Sequence, residues 1–219
     1  METSFKLMLA VVITSCTTIC NAADTELLRP SDADLMAFKV YHHTVYKKVT
    51  SEQAGGTNKL LHTTKLPTEG TDPVVTPALD HLYTKAVLDL TDGPVIVELP
   101  EVEKSRYFSM QIMDQEHYTI YEEIHPSGPY AFVRFGEDMQ VPNGATVIES
   151  RSDYPHLFIR IQVYNDADRV NISPIQEKIK VIGKSNSPLA FDDPISFALD
   201  THDVYPQNKE TLEAARDFS

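Results

Sequence analysis

In residues 106–113 and 156–164, polar and aromatic side chains recur at every second position. Tyr107, Ser109 and Gln111 alternate with Phe108, Met110 and Ile112, while Phe158, Arg160, Gln162 and Tyr164 alternate with Leu157, Ile159, Ile161 and Val163. A period of two marks a strand with one face in a core and the other outside it. If both strands border one cleft, Tyr107, Gln111, Arg160, Gln162 and Tyr164 converge there, and Tyr83, Arg106 and Asp114 join at the strand ends. Tyrosine rings stack, arginine presents a fork of donors, and amides both donate and accept. That is the chemistry for holding a small anionic or polyol ligand. The competing reading is a plain solvent-facing side of a sheet, with Arg106 and Asp114 in structural pairs.

Other chemistries have less support. Of eight histidines, His42 and His43 are adjacent on a helical run and point apart. His117 and His125 are split by a turn region, and His62 and His81 flank an irregular stretch. Asp200-Thr201-His202-Asp203 groups oxygen and imidazole donors suited to weak divalent-cation binding. None has the His-x-His or one-helical-turn spacing of a dedicated site, so no metal centre is expected. There is no Gly-x-Ser-x-Gly elbow and no phosphate-cradling glycine loop. Serines, histidines and aspartates are plentiful, which leaves a triad assembled in space open. The acidic doublets Glu122-Glu123 and Asp192-Asp193 read as solvated loops.

These groups need a scaffold. Ser31, Asp32 and Asp34 ahead of Leu35, Phe38, Tyr41, Val45 and Val49 spell an N-capped amphipathic helix, with Lys47 and Lys48 near its negative pole. Gly55, Gly56, Pro67, Gly70 and Pro73 make residues 51–77 a long irregular connection, of a kind that often carries function. Strands are expected at 85–90, 95–99, 106–113, 130–135, 145–149 and 156–164, cut by turns such as Thr91-Asp92-Gly93-Pro94 and Pro142-Asn143-Gly144. Consecutive antiparallel strands at this spacing predict a mainly β, α+β fold. The expected form is an antiparallel β-sandwich or jelly-roll-like body with an N-terminal helix and short C-terminal helices. Ser173-Pro174-Ile175-Gln176 predicts a capping box and a helix to about Val181. The proline-containing tail, 185–219, carries a polar helix candidate over 208–217 and is expected to dock loosely.

Lys6, the apolar run 7–13 and Cys20-Asn21-Ala22-Ala23 predict a cleaved export leader over residues 1–23. The run falls short of the roughly 20 residues of a membrane span, so the mature chain is expected to be secreted or periplasmic. Ile13-Thr14-Ser15-Cys16 is a partial lipobox, leaving a lipid anchor through Cys16 as the alternative. Both cysteines lie in the leader, so the mature domain has no disulfide, no thiolate metal site and no cysteine nucleophile. A formal charge of −13 repels phosphate backbones and argues against nucleic acid as a partner; solubility is its simpler meaning.

The tyrosine-containing first helix is followed by Asn58, Leu61-His62, Leu66-Pro67, Pro77, Asp80, Leu82-Tyr83, Leu88-Asp89-Leu90, Gly93-Pro94-Val95, Arg106 to Gln111, Asp114, Arg160 and Ile175 to Ile179. In these elements, over roughly residues 30–184, the chain resembles the DUF1254 family of domains of unknown function. The resemblance implies an exported, mostly β domain over 24–184, commonly followed by a second β domain, DUF1214, which no residues here supply. The family's Pro-Asn-x-Asp-Thr-x-Tyr run stands here as Pro77-Ala78-Leu79-Asp80-His81-Leu82-Tyr83, and Glu122-Glu123-Ile124-His125-Pro126 replaces a glycine-rich stretch. The leading expectation is an envelope module that binds a small polar ligand or assists another protein. The alternatives are an envelope hydrolase or isomerase using Tyr, His and Asp groups, and a structural fragment needing a separate partner domain. No cofactor is indicated.

Overall fold

The computed structural model describes residues 31–67 and 78–217; the leader expected over residues 1–23, with Cys16, lies outside them. The chain divides into two units, 1–35 and 36–219. In the first, Ser31 reciprocally caps the start of helix α1 (Asp32–Ala54), whose residues from Met36 onward belong to the second unit. The Ser31 hydroxyl donates to Asp34 Oδ2 (2.7 Å) and accepts from the Asp34 N–H (3.1 Å). The bond from the Ser31 hydroxyl, and one from the Ser31 N–H, hold the Asp34 carboxyl below its usual range.

The second unit is built on two β-sheets. One is entirely antiparallel, in the order β1 (Leu61–His62), β2 (His81–Val87), β8 (His156–Gln162), β4 (Phe108–Met113), β5 (Thr119–Ile124). The other runs β7 (Thr146–Ser150), β6 (Gly128–Arg134), β3 (Val95–Leu99), β9 (Lys180–Ile182). Within it β6 and β7 pair in parallel, against the antiparallel expectation. Residues 135–145 are long enough to carry the chain back along the sheet, which a tight hairpin could not do. The expected alternation is realised: Phe108, Met110 and Ile112 share one core with Leu157, Ile159 and Ile161, and with Val95, Val97 and Phe132 of the other sheet. Glu122 and Glu123 lie on β5 rather than in a solvated loop, where Glu123 accepts from the hydroxyls of Tyr121 (2.6 Å) and Tyr130 (2.9 Å).

Several residues that carry the family resemblance form a structural lock. Asn58, held at φ +54°, donates to the carbonyls of Asp89 (3.1 Å) and Lys184 (2.7 Å) and accepts from the Asp89 N–H (2.8 Å). Thr57 and Asn186 both donate to Oδ2 of the Asp89 carboxylate (3.0 and 2.8 Å). A stretch expected to be irregular is thereby tied to the segments that follow β2 and β9, more than 30 residues away.

Two helical expectations are corrected. The helix α2 spans Arg169–Gln176, with Pro174 inside it and not at its first position. A short 3-10 turn, Asp166–Asp168, starts it, and Asn165 caps that turn by accepting from the Asp168 N–H. Ser173 instead reaches Glu177 (3.3 Å). The tail is also anchored. Its helices α3 (Pro194–Asp200) and α4 (Lys209–Asp217) bury Ile195, Ala198 and Leu212 against Val40 of α1. Few apolar residues suffice because they share one face.

Candidate functional site

The outer face of the antiparallel sheet is organised in rows set by strand register. His81 is paired with Gln162, whose backbone N–H donates to the Tyr107 carbonyl (2.9 Å). Tyr83, Arg160 and Ser109 follow, then Lys85, Phe158 and Gln111, then Val87, His156 and Met113. Arg160 donates to Gln111 Oε1 (2.8 Å), and Gln111 donates to Thr119 (2.8 Å). Two cations flank one ring: Lys85 Nζ lies 5.1 Å and Arg160 Cζ 5.6 Å from the centre of Tyr83. Lys85 also donates to the Tyr46 hydroxyl (2.5 Å).

Helix α1 contacts the last two of these rows. Tyr46 packs on His156 and Phe158, and His43 on His156 and His117. The face that α1 buries is polar: His43, Thr44, Lys47, Thr50 and Ser51, with Val40 as the apolar exception. Its expected core stripe instead points outward, with Phe38 61% exposed and Tyr41 43%. The sheet surface beneath the helix explains the inversion, since His156, Asp114 and Gln115 are buried there and require polar contacts. Lys47 is fully buried and donates to Gln115 Oε1 and to the Tyr154 carbonyl (2.6 Å); Gln115 in turn donates to Thr44. Burial lowers the Lys47 amine to about 7, partly offset by the charge of Asp114. Burial, then the Lys47 charge, holds His43 and His156 well below their ordinary values. Both His156 ring nitrogens lack hydrogen-bond partners among the described residues.

The eight sequence-derived site residues fall into three places. Tyr83, Tyr107, Gln111, Arg160 and Gln162 lie on the outer face, although Gln162 spends its Oε1 on the Tyr107 N–H (3.0 Å). Arg106 and Tyr164 form a separate structural cluster. Arg106 is buried and grips Asp168 through two bonds (2.6 and 3.0 Å), with Tyr164 stacked at 4.5 Å. Asp114 is buried at the turn after β4, accepting from the Tyr118 N–H (2.8 Å), and burial raises its carboxyl above the usual range. Sequence reasoning missed Lys85, Tyr46, His43, Lys47 and His156. Only Lys85 and His156 carried a signal, each lying two residues from an outward-facing aromatic, Tyr83 or Phe158, on an alternating strand. Two cavities, of about 380 and 280 Å³, open around the loop 200–203 and not on this face.

Among the described residues no group of three or more His, Cys, Asp or Glu is arranged to hold a metal ion, and no helix is long and apolar enough to cross a membrane.

The fold is similar to that of the crystal structure of the VPA0106 protein from Vibrio parahaemolyticus, with a TM-score of 0.59 at 18% identity. That match covers 85% of this chain and 56% of the other, so the chain spans little more than half of that relative. A crystal structure of an uncharacterised protein from Burkholderia cenocepacia aligns at 13% identity over 90% of this chain and 51% of its own, with a TM-score of 0.36. No curated protein matches the chain. The family model described as "Protein of unknown function (DUF1254)" matches residues 57–183, more than half the chain, and the protein belongs to that family.

Proposed function

We propose that this is an exported envelope module, secreted or periplasmic, that binds a small anionic ligand on the part of the outer sheet face that α1 does not contact. The observation that carries the reading is the pair of cations on Tyr83. Lys85 and Arg160 are half-buried and form no ion pair among the described residues, in a chain of formal charge −13. A ligand carboxylate or phosphate would complete both, and Tyr107 and Gln111 supply edges that fix orientation. The same reading takes the two sheets as a sandwich, supported by their shared core.

Citrate, succinate and inorganic phosphate are the probes. A binder at a hundred times its dissociation constant adds about 2.7 kcal/mol of stability, which a melting curve resolves. Arg160→Ala is expected to abolish that shift for whichever probe raises the melting temperature. An unchanged shift in the variant, or no shift with any probe, sinks the reading.

A second reading, an accessory fragment that seats on a separate partner domain, is favoured by the outward face of α1, where Phe38, Tyr41 and Val49 are all exposed. It predicts self-association of the isolated chain, measured by light scattering, and relief of it by Phe38→Ser with Tyr41→Ser. A monodisperse wild-type chain removes this reading.

A further inference from the structure

The loop 200–203, the oxygen-and-imidazole run of the tail, lines both cavities. It is held rigidly from behind. The buried Glu116 accepts from the Tyr205 N–H (2.9 Å) and Asn208 Nδ2 (2.7 Å) and lies 2.6 Å from His202 Nε2. Burial pushes the Glu116 carboxyl up, but these bonds outweigh it and keep it below its ordinary value. Backbone bonds from Asp153 to the Thr201 carbonyl (2.8 Å) and from Asp203 to the Arg151 carbonyl (2.9 Å) fix the loop against residues 151–153. The imidazole of His202 is therefore tied to Glu116 through Nε2, while its Nδ1 is buried and has no hydrogen-bond partner among the described residues.

What remains at the larger cavity is a set of charged forks already in pairs. Arg151 bonds Asp203 (2.6 Å), and its guanidinium lies 5.0 Å from the ring centres of both Phe135 and Tyr205. Arg134 pairs with Asp153 (2.9 Å) and, at longer range, Glu137 (3.5 Å). Phe135 is 53% exposed at the rim. An anion entering here meets Glu137, Asp153 and Asp203, and a cation meets both arginines. A neutral ligand rich in hydroxyls avoids both conflicts, because each hydroxyl accepts from a guanidinium and donates to a carboxylate without separating the pair. The apolar face of a sugar ring also fits a half-exposed phenyl ring. The volume, about 380 Å³, falls in the range of small-molecule sites, about 300–1,000 Å³.

We propose that the cleft between the ends of β6 and β7 and the loop 200–203 is a saccharide-binding site, in which Phe135 provides the stacking surface and the Arg151–Asp203 and Arg134–Asp153 pairs bind hydroxyls. It is separate from the outer sheet face and does not depend on that face binding anything.

Amide chemical-shift mapping on the full chain tests it, with D-glucose, N-acetyl-D-glucosamine and maltose as probes and citrate as the charged control. The expected result is saturable shifts at 134–137, 150–153 and 200–203 with at least one sugar and none there with citrate. Phe135→Ala should weaken that sugar at least about tenfold while the melting temperature holds, since the ring lies outside both apolar clusters. Arg151→Gln should weaken it independently. Shifts with citrate at these amides, sugar shifts confined to the outer sheet face, full sugar affinity in Phe135→Ala, or no saturable shift with any sugar would each overturn the proposal.

Discussion

Replacing Arg106 with alanine is expected to cost about 3–5 kcal/mol of folding stability, the usual loss when one partner of a buried ion pair is removed. The guanidinium sits between two carboxylates and one carbonyl: Asp168 through two bonds, Glu103 through Nε (2.7 Å) and the Gln162 carbonyl (2.7 Å). Without it, Asp168 keeps only the neutral donors Tyr164 N–H (3.0 Å) and Asn171 Nδ2 (2.9 Å), and its charge is left buried. Arg106→Lys keeps the charge but loses the planar fork, so an intermediate loss is expected. Arg106→Met combined with Asp168→Leu should recover much of the stability, because no uncompensated charge remains. The bonds from Arg106 hold the Asp168 carboxyl below its ordinary value, so the pair's contribution is intact above roughly pH 4 and fades as pH falls further. Urea unfolding at neutral pH provides the measurement. A loss under about 1 kcal/mol would show that the pair behaves like an exposed one.

Arg106 also shows where sequence reading reaches its limit. Its position at the start of an alternating strand was legible, but its partner lies 62 residues away on a turn with no pattern of its own. Alternation located β4 and β8 because a strand with one face in the core must repeat at two, and Phe108, Met110, Leu157 and Ile159 do. Their partners do not follow from alternation, which carries no information on strand direction; hence the parallel pairing of β6 with β7 was not visible. Helix α1 inverts for a related reason. The spacing of Phe38, Tyr41, Val45 and Val49 marks an apolar stripe, but which stripe is buried depends on the surface the helix meets. Here that surface presents His156 and Gln115, so Lys47 goes in and Phe38 stays out. Of the five candidate-site residues placed by alternation, Tyr107, Gln111, Arg160 and Gln162 share a face, and Tyr83, added as a strand-end neighbour, joins them. Tyr164, and the strand-end neighbours Arg106 and Asp114, were drawn by local partners into other parts of the fold.

Acidification from pH 6.5 to 5 is expected to loosen α1 from the sheet before any carboxylate pair fails. His43 and His156 are buried together with Lys47, and both imidazoles bind protons less readily in the folded chain than in the unfolded one. Below about pH 6.5 the unfolded state therefore takes up protons that the native state refuses, and stability falls as pH falls, by up to about 1.4 kcal/mol per pH unit for each histidine. The groups facing them make protonation harder still: Lys47 from α1, Lys85 from β2, and His117 from the turn after β4, with the Asp114 carbonyl the opposing influence on His43. Lys47 acts in a different window. Its folded value of about 7 lies below the usual lysine value, so its burial erodes stability as pH falls from about 10.5 towards neutrality and adds no slope below that. Glu116 and Asp168 are held below their ordinary values, and their losses begin only in the carboxylate range. Burial also lowers His62 and His117, which add to the same loss, while the buried Asp114, held above its ordinary value, opposes it as pH falls towards the carboxylate range. Hydrogen exchange should report faster opening of α1 amides across this interval, and urea midpoints should fall in parallel. His156→Phe removes two unpartnered ring nitrogens and packs against Tyr46 and Phe158 in their place, so it should flatten the pH slope and raise stability at pH 5. A variant slope equal to the wild-type slope would place the acid sensitivity elsewhere in the molecule.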